Sequence, residues 1–214
     1  MGNNMLAYCN NNSVNYSDST GQLPIRNTVY INDGVPSGVK ELLYIRDQTD
    51  SAVSTKNIGV ATVSHGGCGA VATYNALVTL EDYTSFDSVL DSYNSDPLSL
   101  SLLGLAGMSP NTVANYFKDA GYTVHMSKDI DEIDVYSATA DACIMYYMYP
   151  RTYNVSSLLS VDAFGAHFVA YNRYTDGYLG YNTGGRYGVH KFAYASEYAY
   201  ENGNFCAIGI FIYK

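Results

Sequence analysis

Apolar positions recur at helical spacing through the middle of the chain and then switch to strict alternation toward its end. From Gly67, the side chains Ala70, Val71, Tyr74, Leu77 and Val78 fall on one stripe and predict a helix to about Leu80 that buries that single face. Phe86, Val89, Leu90 and Tyr93 repeat the period behind Ser85 or Thr84, either of which can cap a second helix. Ser109-Pro110-Asn111 supplies an N-cap with proline at the first helical position. The stripe Val113, Ala114, Phe117 and Ala120 then runs to Gly121, where a third helix should stop. Beyond it the period is two: residues 122–126, 142–149, 166–171, 178–182, 189–194 and 206–213 read as strands, with Asp176-Gly177 and Asn202-Gly203 marking tight turns.

Other stretches are punctuated differently. Residues 1–25, rich in Asn and Ser, carry no period and predict an irregular arm, residues 27–32 have a strand's composition, and residues 39–46 are ambiguous between states. The acidic run Asp129, Asp131, Glu132 and Asp134 predicts a solvated loop between strands. The tyrosines at 146, 147 and 149 and from 194 to 200 predict mixed core and surface packing. A helical part over about 57–121 followed by an antiparallel sheet over about 122–214 makes an α+β fold, expected as one domain over residues 26–214 with its cleft between the two parts.

Composition narrows the function classes. Eleven basic residues against 20 acidic ones give a net charge of −9 with no basic cluster, which argues against a nucleic-acid partner. No apolar run reaches the roughly 20 residues of a membrane span. Only 14% of residues are charged, while tyrosine occurs 23 times and tryptophan never; a surface built on Asn, Ser, Thr and Tyr tilts the expected location toward secretion. Cys9, Cys68, Cys143 and Cys206 form no C-x-x-C pair, so neither a zinc knuckle nor a dense disulfide framework is expected. His65 and Cys68 have H-x-x-C spacing without a second close pair, and no metal or other cofactor is predicted. Cys143 and Cys206 lie in apolar runs and read as small buried hydrophobes.

One cysteine stands apart. In His65-Gly66-Gly67-Cys68-Gly69-Ala70-Val71, Cys68 sits where a glycine-rich turn enters a helix, and the free amides and positive end of a helix favour a thiolate there. The glycines at 66, 67 and 69 let the backbone turn sharply, so that the Cys68 amide can face an oxyanion. His167 opens an alternating apolar stretch, and Asn182 follows a tight turn. A two-residue turn at Asp176-Gly177 would set Asn182 opposite Tyr171, four residues from His167 and on the order of 13 Å along an ideal strand. Contact would then need a bulge, for which Gly180 is the candidate, and Asp176 and Asn172 are alternatives for the third position.

The stretch Gly67-Cys68-Gly69-Ala70-Val71-Ala72-Thr73-Tyr74-Asn75-Ala76-Leu77 resembles the nucleophile helix of papain-like cysteine peptidases, in particular the bacterial branch similar to the peptidases that cut double-glycine leader peptides. Residues 107–122 resemble the helix and Gly-Tyr segment of that branch, Ala166-His167-Phe168-Val169-Ala170 resembles its histidine strand, and the likeness covers about residues 57–185. It implies a papain-like fold, a peptide or protein substrate, Cys68 as nucleophile, His167 as base and later acid, and Asn182 as the residue that orients the imidazole. The family's oxyanion glutamine, about six residues before the cysteine, is replaced here by Thr62; Ser64, His65 or Asn57 are substitute donors. Two other readings use the same scaffold: a binding or effector module without turnover, and a transglutaminase or deamidase acting on glutamine side chains.

Overall fold

The computed structural model describes residues 44–82, 84–96, 100, 107–156, 159–174, 177–183, 189–200 and 204–214, with the side chains of 151–163, 174 and 189 left out. The arm at 1–25, the strand at 27–32, Cys9 and Asp176 lie outside these residues.

A short hairpin of β1 (Asn57–Ile58) and β2 (Ala61–Thr62) leads into the single turn α1 (Val63–Gly66) and then α2 (Cys68–Thr79). The stripe on α2 understates its environment, because every residue from Gly69 to Val78 is buried. It is a central helix: α3 (Phe86–Ser95) and α4 (Pro110–Asp119) pack on one side and the main sheet on the other. A helix enclosed in this way needs its polar groups paired. The Thr73 hydroxyl meets Tyr93 Oη at 2.7 Å, and Asn75 exchanges two hydrogen bonds with the Ile45 backbone at 2.8 and 2.9 Å.

Local signals fix the other two helices. Ser85, not Thr84, caps α3 by accepting from the Ser88 amide at 3.1 Å, and Ser109 caps α4 by accepting from the Thr112 amide at 3.1 Å. At the far end of α4, Gly121 takes φ 92°. Its amide bonds the Lys118 carbonyl and that of Tyr122 bonds the Phe117 carbonyl, the paired closure of a Schellman cap.

The remaining strands are β3 (Thr123–Ser127), β4 (Ala142–Ser156), β5 (Leu159–Tyr174), β6 (Gly177–Tyr181), β7 (Val189–Phe192) and β8 (Phe205–Tyr213). They form one antiparallel sheet in the order β3-β8-β4-β5-β6-β7. Alternation sorts its two faces. Ala142, Ile144, Phe168, Ala170, Ile210 and Ile212 join the core around α2, whereas Cys143, Met145, Val169, Tyr171 and Phe211 face a second core.

That second core is closed by two helices that replace features read differently from the sequence. The acidic run is not a solvated loop but α5 (Ile130–Ser137), anchored by the fully buried Ile133 and capped by Asp129, which accepts from the Asp131 amide at 2.9 Å. The tyrosine-rich stretch contains α6 (Ala195–Ala199), so β7 ends at Phe192 and not at Tyr194. Asp134 joins the two, accepting from the Ser196 amide at 2.9 Å and its hydroxyl at 2.6 Å. Cys143 is buried, but Cys206 is exposed, with φ 54°, where β8 carries one more residue than β4 between the Tyr146 and Met148 pairings. The bulge turns this cysteine out of the apolar alternation that placed it inside.

Candidate active site

Cys68 is the first residue of α2, half-buried, and the approach to it is set by tight packing. The glycines before and after it do not supply positive φ. Gly67 has φ −88°, and its role is contact: a Cβ there would lie 2.6 Å from Val63 Cα and 2.7 Å from the Val63 carbonyl oxygen. A Cβ on Gly69 would meet Met108 Sδ at 2.4 Å. Only glycine lets α1 fold back so closely on the start of α2.

The Cys68 thiol lies beside the His167 imidazole and the backbone amides of Phe168 and Gly69, all of which act on its charge. Burial pushes the thiol pKa up, but the hydrogen bond and positive charge of His167, with the two amides, outweigh it and hold the thiol below its ordinary value. The imidazole shows the reciprocal effect. Burial lowers its pKa, while the bond and charge of Cys68 and the Asn182 carbonyl raise it above the ordinary histidine value. The pair is thereby biased toward thiolate and imidazolium.

His167 Nε2 lies 2.5 Å from the backbone carbonyl oxygen of Asn182. A carbonyl only accepts, so Nε2 carries the hydrogen and Nδ1 is left to face the sulfur. Asn182 is therefore brought to the histidine, but by its main chain. Its side chain is closed against Gln48: the Gln48 amide nitrogen donates to Asn182 Oδ1 at 2.9 Å, and Asn182 Nδ2 donates to Gln48 Oε1 at 2.9 Å.

Two departures from the expected register explain this placement. The β5–β6 turn pairs Tyr174 with Gly177 and Arg173 with Tyr178, in place of Thr175 with Tyr178, which moves Asn182 along β5 toward His167. No bulge at Gly180 is needed, since Gly180 pairs in regular register with Tyr171 and His190. Asn182 then leaves β6 with φ 63°, a left-handed conformation that asparagine tolerates better than most residues, and this conformation orients its carbonyl. Of the alternatives, Asn172 donates to Tyr44 Oη at 2.6 Å.

The substitute oxyanion donors bond one another. Thr62 Oγ1 meets Ser64 Oγ at 2.9 Å and His65 Nδ1 at 3.0 Å, and Ser64 Oγ meets His65 Nδ1 at 3.1 Å. Asn57 lies in β1, where its carbonyl accepts from Asn94 Nδ2 at 3.3 Å. The residue that sequence reasoning missed is Gln48, whose Nε2 donates to the Ser64 carbonyl at 3.1 Å while its other groups hold Asn182. Its segment is fastened to both sides of the site. The Tyr44 ring stacks on Tyr181 at 4.0 Å, and Ile45 is bonded to Asn75 of α2. No periodicity marks residues 44–48, and the contact with Asn182 spans 134 positions, so no local signal could have found it.

Among the described residues no group of three or more His, Cys, Asp or Glu side chains is placed to hold a metal ion, and no helix is long and apolar enough to cross a membrane. No family model matches the chain, and no curated protein sequence matches it.

Proposed function

We propose that this chain is a cysteine hydrolase of papain-like architecture that cleaves a peptide amide through an acyl-enzyme on Cys68. The observation that carries the reading is the imidazole fixed through Nε2 by the Asn182 carbonyl, with the Cys68 thiol beside it. A nucleophile at a helix start, followed in the chain by an antiparallel strand carrying its base, supports the architecture.

The chemistry follows from that pair. The thiolate attacks the substrate carbonyl carbon, and the Cys68 amide, at the start of α2 where helix amides lack an intrahelical acceptor, is the donor for the negative charge that grows on oxygen. Collapse of the adduct breaks the C–N bond as His167 Nδ1 gives its proton to the leaving amine, leaving a thioester. Water then attacks the thioester while His167 takes a proton; the acid departs and the thiolate–imidazolium pair is restored. The net charge of −9 favours neutral or basic peptides over acidic ones.

The test is digestion of a proteome-derived peptide mixture with the parent and with Cys68→Ala, read by mass spectrometry of new amino termini. New termini from the parent alone are expected, with an acyl adduct on Cys68 after rapid acid quench. Ammonia release from glutamine side chains without new termini would reassign the same acyl-enzyme to deamidation. Identical digests from parent and variant, with Cys68 alkylated no faster than Cys206, would overturn the enzyme reading.

A further inference from the structure

We infer that Gln48 is a positioning residue for His167, acting through the main chain of Asn182; the inference rests on the Cys68–His167 pair being the reactive centre. A side-chain acceptor can be aimed at an imidazole by its own rotamer. A backbone carbonyl is aimed only by the dihedrals around it, and at Asn182 φ is 63°, a left-handed value that asparagine tolerates but that a contact must select over the more populated extended region.

Gln48 supplies that hold. Two hydrogen bonds of 2.9 Å run in opposite directions between the residues, from the Gln48 backbone N–H to Asn182 Oδ1 and from Asn182 Nδ2 to Gln48 Oε1. They consume the principal polar groups of a buried asparagine side chain, so its rotamer and its backbone are fixed together. The remaining end of the glutamine amide donates to the Ser64 carbonyl at 3.1 Å, four positions before Cys68. One side chain thus spans the acceptor that orients the base and the turn that leads to the nucleophile. Glutamine suits both duties because its amide offers an acceptor and a donor at one tip; glutamate keeps only the acceptor and methionine keeps neither.

The test uses iodoacetamide alkylation of Cys68 in the full chain across pH 4 to 9, quantified peptide by peptide, with Gln48→Met, Gln48→Glu, Asn182→Gly and the double variant Gln48→Met/Asn182→Gly. Gln48→Met should slow Cys68 alkylation at pH 6 by about tenfold and move the acid limb of the profile upward. Gln48→Met leaves the bond from the residue 48 backbone N–H to Asn182 Oδ1; Asn182→Gly, which keeps a carbonyl and tolerates the left-handed backbone but removes both bonds of the clamp, should slow alkylation at least as much. The double variant should be no slower than Asn182→Gly, because once the asparagine side chain is gone Gln48 has no clamp left to lose. Gln48→Glu should fall between Gln48→Met and the parent. Tyr122→Phe, remote from the pair, serves as the control that lowers the thermal midpoint without moving the profile.

A Gln48→Met profile that superimposes on the parent's, or single losses that multiply in the double variant, would overturn the inference. If Gln48→Met does not fold, Gln48→Glu and Asn182→Gly take its place, and profiles of both that superimpose on the parent's would overturn the inference equally. A parent in which Cys68 behaves as an ordinary thiol would overturn the hydrolase reading itself, a result distinguishable from failure of the clamp alone.

Discussion

His167 is anchored by the main chain of Asn182 and not by its side chain, with Nε2 and the carbonyl oxygen 2.5 Å apart. Because that carbonyl cannot titrate, the acceptor on Nε2 persists across the whole working pH range and leaves two groups, the thiol and the imidazole, to set the pH response of the centre.

The thiol lies below its ordinary pKa and the imidazole above its own. Both shifts favour the ion pair of thiolate and imidazolium over the neutral pair. Hydrolysis should follow a bell in kcat/KM. Its acid limb should fall below the roughly 8.5 of a free thiol, and its alkaline limb should lie above the roughly 6.5 of a free imidazole. The two limbs belong to the coupled pair. Activity that rises only as pH passes about 8.5 would contradict the pairing.

Removing the imidazole should leave burial of Cys68 opposed only by the two backbone amides. Burial is the largest single influence on the thiol, and it acts upward; the histidine is the first of the groups that oppose it. In His167→Ala the thiol should therefore titrate above its value in the parent, and its alkylation at pH 7 should drop. The internal reference is the exposed Cys206, which should become the faster thiol in the variant. Unchanged alkylation of Cys68 would mean that the helix start alone sustains the thiolate.

The glycines around the nucleophile should differ in how they respond to one added methyl. In Gly67→Ala the new carbon lands on the Val63 backbone at 2.6 Å, which cannot move without unwinding α1. In Gly69→Ala it meets the side chain of Met108, a flexible group, and gains up to about 1 kcal/mol of helix propensity in partial compensation. We expect Gly67→Ala to lose about 3 kcal/mol or more and Gly69→Ala about 1 kcal/mol in urea unfolding. Equal losses would contradict the backbone-contact account.

Much of this architecture was legible where its cause is local. Ser109, Pro110 and Gly121 bracket α4 because capping chemistry acts within a turn of the residue that supplies it. Cys68, His167 and Asn182 were singled out by residue type and context, and the structure places them together. What escaped was non-local or off by one. Helix α5 carries a cap at Asp129 and acids in its first turn, favourable at the positive end of a helix, yet its few apolar positions made the same residues resemble a solvated loop. A turn one residue earlier than expected shifted the partner of every β6 residue and removed the need for a bulge. The role of Asn182 depends on a left-handed backbone and on Gln48, and neither is written in the neighbourhood of Asn182.

Acid should loosen the helical side of the molecule through Asp82. Burial alone would raise the pKa of this carboxylate, but the Thr84 hydroxyl and amide, the Tyr122 hydroxyl and the charge of Lys214 together pull it below its ordinary value. Thr84 Oγ1 donates at 2.7 Å and Tyr122 Oη at 2.9 Å, so the carboxylate ties the end of α2 to the residue that follows the α4 cap. A group whose folded pKa is depressed contributes stability above its unfolded value, here about 3.9, and that contribution is lost as pH falls through the folded value. Tyr122→Phe removes one donor to a charged acceptor and should cost about 1 kcal/mol at pH 7 in urea unfolding. At pH 3 and below, the gap between variant and parent should narrow, because protonation weakens the same bond in the parent. A gap that stays constant from pH 7 to pH 2 would assign the loss to packing of the tyrosine ring and remove Asp82 from the acid response.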